Sequence, residues 1–117
     1  MLHFELSEFD SPDEIGSGKY MQDPFLQMLD DARGIAGISF KINSGYRSTS
    51  HNEYIGGKKQ SSHLYGHAAD IHCTGSRERS IIIGSLIQAG FNRIGIAKTF
   101  IHVDNDPAKD DRVIWVY

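Results

Sequence analysis

The chain has 117 residues, which suits one domain spanning 1–117 and is enough to bury a core without disulfides or a structural metal. Its 39% hydrophobic and 23% charged residues are ordinary for a globular protein, and a net charge of −3 gives no general electrostatic reason to bind nucleic acid. No apolar run approaches the ~20 residues of a membrane span, the N-terminus lacks the basic and apolar regions of a secretory signal, and the lone Cys73 has no internal partner, so synthesis in a reducing cytoplasm is expected.

Residues 3–9 carry apolar side chains at Phe4, Leu6 and Phe9, which predicts a short extended edge segment. Asp10 to Lys19 is rich in Asp, Ser, Pro and Gly and reads as a loop, with Asp13 and Glu14 as solvated acids. Asp23-Pro24 then opens a helix. Asp can accept from free N–H groups, and Pro fits the first turn. Phe25, Leu26, Leu29, Ala32 and Ala36 fall on one face of it, and Gly37 ends it. Ile38 to Ile42 alternates with period two, the pattern of a half-buried strand.

Ser44-Gly45-Tyr46-Arg47-Ser48 follows, a run of small and hydroxyl residues suited to a tight turn that fixes Arg47. His51 to Ile55 can make one helical turn before Gly56-Gly57. Ala68 to Cys73 reads as extended. A second helix is expected from a Ser76 cap through Ala89, with Ile83, Leu86 and Ile87 inward and Gly90 as its stop. Phe91–Ile96, Phe100–Asp104 and Val113–Tyr117 read as strands, the second with Phe100, His102 and Asp104 on one face. Two main helices and about five short strands joined by loops predict an α+β fold with a small, mostly antiparallel sheet.

The stretch Ser61-Ser62-His63-Leu64-Tyr65-Gly66-His67-Ala68-Ala69-Asp70 concentrates the chemistry. Zinc takes neutral imidazole and carboxylate ligands, and catalytic zinc sites leave one position open. The seven-residue step from His63 to Asp70 is too irregular for one helix face. It suits a loop ligand and a strand ligand, with the backbone passing close to the metal at Gly66. Alone, this pair is weak evidence, because a loop histidine and a strand-end aspartate occur by chance at such a spacing.

From about residue 23 onward the chain resembles the zinc D-Ala-D-Ala carboxypeptidase family. These are bacterial and phage peptidoglycan peptidases, related in fold to the hedgehog signalling domain. The family pattern Ser-x-His-x-x-Gly-x-Ala-x-Asp is met at Ser61, His63, Gly66, Ala68 and Asp70. The later His-x-Asp is met at His102 and Asp104, and Ser44 to Ser48 resembles the family's substrate-binding arginine segment. The resemblance implies that His63, Asp70 and His102 bind one Zn2+ ion. It implies that Arg47 stabilises an oxyanion or holds a substrate carboxylate, and that Ser61 supports the loop or touches substrate.

Several relatives carry an acid three positions before the last histidine, where this chain has Thr99. Asp104, on the same strand face as His102, is read first as orienting an imidazole, and it is also the best carboxylate candidate for proton transfer; His51 and Glu53 are further candidates. His67 occupies a variable slot of the pattern and reads as a bystander, and His72 shares the strand face of Asp70, with replacement of a ligand as the lesser reading for either; His3 reads as exposed, and Cys73 as a buried small residue. The implied activity is hydrolysis of peptidoglycan stem or cross-link peptides, of D-Ala-D-Ala carboxypeptidase or endopeptidase type. An L-alanyl-D-glutamate endolysin and a non-catalytic zinc-binding wall or phage domain are the alternatives. A monomer is expected, reaching the cell wall on release, as in phage-type lysis.

Overall fold

The computed structural model describes residues 1–117. Three helices, α1 (Asp23–Ala36), α2 (Thr49–Tyr54) and α3 (Ser76–Gln88), accompany five strands. The strands are β1 (Ile42–Ser44), β2 (Ala68–His72), β3 (Arg93–Ile96), β4 (Phe100–Asp104) and β5 (Val113–Val116). They form one sheet in the order β1-β2-β4-β3-β5.

The sheet is mixed rather than simply antiparallel. The pairs β1·β2, β2·β4 and β3·β4 are antiparallel, but β5 runs parallel to β3. The cause is a strand that skips a neighbour. The segment after Asp104 reverses direction, passes over β3 and joins the sheet beyond it. Since β5 opposes β4 in direction, a short loop suffices and no crossover helix is needed.

Strand alternation sorts side chains to two faces. Ala69, Ile71, Ile94, Ile101 and Val103 point to one face and form the core with Phe25, Leu26 and Leu29 of α1 and Ile82 and Leu86 of α3. Phe25 meets Phe91 edge-on at 5.6 Å between ring centres. Removing such a ring costs about 3–5 kcal/mol. The alternate residues Asp70, His102 and Asp104 therefore point to the opposite face, away from α1 and α3.

Several elements depart from expectation. Residues 3–9 make a 3₁₀ turn over Leu6–Phe9 instead of an extended strand. Glu5 N–H donates to Glu8 Oε2 at 2.8 Å and closes the turn, which brings both Phe4 and Phe9 into the core. The strand expected over 38–42 pairs regularly only from Ile42, with a bulge before Ser44. The alternation of Ile38 and Phe40 instead reflects packing against the core. In α3 the buried line runs through Ile82, Ser85 and Leu86, and Ile87 faces solvent. Ser76 is the first helical residue there, and Gly75 occupies the cap position. The cap of α1 is likewise Gln22, one residue before Asp23. Gly37, at φ 69°, ends α1 in the left-handed conformation expected of a C-terminal glycine.

Candidate metal centre

One transverse row crosses the whole sheet on the face opposite the helices. Register pairs Ser44 with Asp70, Asp70 with His102, His102 with Gly95, and Gly95 with Trp115. Each strand thus contributes one residue, and Asp70 and His102 sit side by side because they are direct cross-strand partners.

His63 enters from outside the sheet, on a 3₁₀ turn over Ser62–Tyr65. Ser61 caps this turn, its Oγ accepting from His63 N–H at 3.3 Å. Gly66 ends the turn at φ 74°, and a Cβ there would lie 2.3 Å from the Tyr20 carbonyl oxygen. The close backbone approach at Gly66 is therefore to the Tyr20–Met21 segment, not to a metal. Gln22 N–H donates to Gly66 O at 3.0 Å, which fixes the same junction.

His63 Nε2 lies 3.3 Å and His102 Nδ1 2.9 Å from Asp70 Oδ1. One ligand atom from each of His63, Asp70 and His102 lies within 4.8 Å of the others. Tetrahedral zinc with bonds of about 2.0–2.1 Å needs ligand atoms roughly 3.3 Å apart, so these residues fit the ion.

The far nitrogen of each imidazole is also committed. His63 Nδ1 faces Gly45 O at 2.8 Å, and His102 Nε2 faces Asp104 Oδ2 at 2.7 Å. With N–H donated outward on both rings, the inner nitrogens are left as lone-pair donors. The ligand identities and outer partners fit a metal centre of the catalytic kind, with three protein ligands rather than four.

Burial and charge tune these groups. Burial lowers the His63 pKa, more than Asp70 restores it. Burial would also lower that of His102, but its hydrogen bonds to Asp104 and Asp70 carry it above the ordinary value. Burial opposes ionisation of Asp70, yet its contacts with both imidazoles hold its carboxyl far below the usual range. Burial lowers the Arg47 pKa against the pull of Asp70.

Arg47 stands at the cleft beside this cluster. Its Nε donates to Ser44 Oγ at 3.0 Å, Nη1 to Asn52 Oδ1 at 3.3 Å and Nη2 to Asp70 Oδ2 at 3.3 Å. Arg47 N–H also donates to His63 O at 3.1 Å, so the arginine segment and the histidine turn are locked together. The cleft holds about 290 Å³ and is also lined by Ser61, Lys58, Trp115 and Tyr117.

Asp104 lies behind the cluster and is 1% exposed. Its Oδ2 takes the His102 bond, and its Oδ1 accepts from Arg93 Nε at 2.6 Å and from Asp106 N–H at 3.2 Å. Both oxygens are occupied. Arg93 also lies over the Trp115 ring at 5.2 Å, and Trp115 lies 5.5 Å from the His102 ring. Gly95 makes this possible, because a Cβ there would fall 2.6 Å from Trp115 Nε1.

The other sequence candidates lie elsewhere. Thr99 is exposed in the β3–β4 turn, its carbonyl accepting from Cys73 N–H at 3.0 Å. His51 stacks near Tyr54, Glu53 is exposed, and neither lines the cleft. His67 faces Asn105 Oδ1 at 3.2 Å and lines a separate groove with Tyr20, Tyr46 and Tyr65. His72 is exposed at the end of β2, His3 is exposed, and Cys73 is fully buried with its thiol pKa pushed up by burial.

Sequence reasoning passed over Arg93, Gly95, Trp115, Asn52 and Lys58. Two of these left a signal. An isolated glycine in a strand marks a close approach, and Trp115 sits at an alternate position of β5.

A sequence model of the family described as Peptidase M15 matches residues 3–104, which takes in both histidine motifs and the arginine segment and stops before β5. No curated protein matches the chain. Peptidases of this family depend on zinc, in keeping with a His63–Asp70–His102 cluster able to hold a metal. The chain belongs to the M15 zinc D-Ala-D-Ala carboxypeptidase family.

Proposed function

We propose that this protein is a zinc metallopeptidase that hydrolyses peptide bonds of peptidoglycan, with D-Ala-D-Ala carboxypeptidase or endopeptidase specificity. The observation that carries the reading is the convergence of His63, Asp70 and His102 on one point, with Arg47 at the same cleft. Zinc, when bound, supplies a Lewis acid and a water of lowered pKa.

The chain's own residues then have distinct tasks. His63, Asp70 and His102 hold the ion. Gly45 O and Asp104 orient the two imidazoles, and Arg93 holds Asp104 in its ionised form. Arg47 offers a fixed cationic fork to the substrate, either at a carboxylate or at the oxygen that gains charge during attack. Its 3.3 Å bonds to Asn52 and Asp70 are long enough to be exchanged for shorter ones with substrate. Ser61 keeps the His63 turn in register. With both its oxygens engaged, Asp104 acts as a positioning residue for His102 rather than as the proton acceptor.

A single-domain monomer is part of the same proposal. Action at the cell wall and kinship with the hedgehog-type fold follow from the family resemblance and belong to the same proposal.

A second reading, a zinc-binding module without hydrolysis, is favoured by one observation: the only carboxylates lining the cleft are Asp70 and Asp104, both engaged. The zinc-loaded protein and its His63→Ala variant, incubated with purified muropeptides, separate the two. Metal-dependent release of D-Ala or of cleaved cross-links, lost in the variant, is expected. Tight zinc binding with no cleaved stem or cross-link peptide would leave the binding module.

A further inference from the structure

The cleft is more cationic than the molecule around it. Arg47, Lys58, Arg93 and Lys109 line it against only Asp70 and Asp104, in a chain whose net charge is −3. A bound divalent ion would add to this positive field, which draws anions into the cleft.

Three of the four cations are already engaged. Arg93 is paired with Asp104, and Arg47 with Asp70. Lys109 Nζ donates to Ser62 Oγ at 2.8 Å and lies 3.8 Å from Asp106. Lys58 has no acidic group within ion-pair distance and no side-chain hydrogen bond, yet its backbone is fixed at the cleft wall.

Asn52, 3% exposed, makes that connection. Its Oδ1 accepts from Arg47 Nη1 at 3.3 Å, while its Nδ2 donates to Lys58 O at 2.9 Å. Lys58 O also accepts from Ser61 N–H at 3.1 Å, the residue that caps the His63 turn. Gly57 permits the close packing, since a Cβ there would fall 2.0 Å from Asn52 Oδ1. One buried amide therefore ties the arginine fork to the Lys58 backbone, from which the exposed Lys58 side chain springs at the cleft wall.

We propose that Lys58 is a specificity residue that binds a second carboxylate of an acidic peptide, one remote from the bond being cleaved. Arg47 serves the reacting end of the peptide, and Lys58 reads the acidic residue further along. The inference rests on the peptidase reading but has its own observable.

The probes are the pentapeptide L-Ala-γ-D-Glu-L-Lys-D-Ala-D-Ala and the same peptide with the glutamate carboxyl amidated. Binding to the zinc-loaded protein is measured by calorimetry, and kcat and KM by D-Ala release. The free-acid peptide is expected to bind about tenfold more tightly than the amide, with the preference in KM rather than kcat. Lys58→Met should abolish the preference, and Lys58→Arg should retain it. Raised salt should shrink it. Equal handling of both peptides by the unaltered protein, or a preference that survives Lys58→Met, overturns the inference. Preference in binding without cleavage refutes the peptidase reading and leaves Lys58 as the carboxylate site. Cleavage without preference does the reverse.

Discussion

Gly95→Ala tests whether the sheet row positions the metal centre. The added methyl would start 2.6 Å from Trp115 Nε1, 2.7 Å from Cε2 and 2.9 Å from Cζ2. Ordinary contact begins at about 3.4 Å, so the indole must retreat by roughly 0.8 Å or tilt. Neither is free, because Arg93 lies over the same ring and the His102 ring lies 5.5 Å from it. Overpacking of this kind costs about 1–3 kcal/mol, or a Tm lower by about 4–12 °C in a chain of this size. The retreat also loosens His102, whose supporting partners each typically contribute 10–100-fold to metal affinity; a loss near the lower end, about tenfold, is expected. Trp115 is the only tryptophan in the chain, so its emission reports both unfolding and zinc titration without a label. Unchanged emission, melting and zinc affinity in Gly95→Ala would refute the role assigned to the row.

Other expectations follow from single contacts. Asp104→Asn should weaken zinc binding about 10–100-fold in competition with a chromogenic chelator, with the fold retained by circular dichroism. Arg47→Ala should cut kcat/KM by about 10²-fold or more on stem peptides while leaving zinc stoichiometry at one. Asp30 accepts from Leu2 N–H at 3.0 Å and His3 N–H at 2.8 Å, and although burial opposes its ionisation these donors lower its pKa. Its stabilising contribution is complete above the unfolded carboxylate value of ~3.9 and is lost as pH falls through the lower folded value. Asp30→Ala should therefore cost about 1–3 kcal/mol in urea unfolding at pH 7, and the gap from the unaltered protein should narrow below about pH 4.

The parts of this fold that were legible in sequence are those written in local signals. The α1 face, its closing glycine and the β4 alternation need only neighbouring residues to specify them, and β4 appears with the expected bounds. The parallel edge strand was not legible, because nothing in residues 113–117 says which neighbour they pair with. The partners of Asp70 follow the same logic. Its nearness to His102, 32 positions on, is a matter of register between two strands, which the sequence pattern conveyed only through family resemblance. The network behind His102 was hidden for a further reason. Gly95 and Trp115 each left a local signal, but these and Arg93 become one network only when β3 lies between β4 and β5. Asn52 lay in the expected helical turn and Lys58 in the loop beyond Gly56-Gly57, so the link that Asn52 makes between Arg47 and the Lys58 backbone had no sequence signature.

The central claim is that His63, Asp70 and His102 hold one zinc ion. X-ray absorption at the zinc edge of the protein loaded with one equivalent tests it most directly. The account predicts two imidazole nitrogens and oxygen-only further scatterers at about 2.0–2.1 Å, with one imidazole lost in His102→Ala. A sulfur scatterer at about 2.3 Å, which would bring in Cys73, or a spectrum unchanged by His102→Ala, would contradict it.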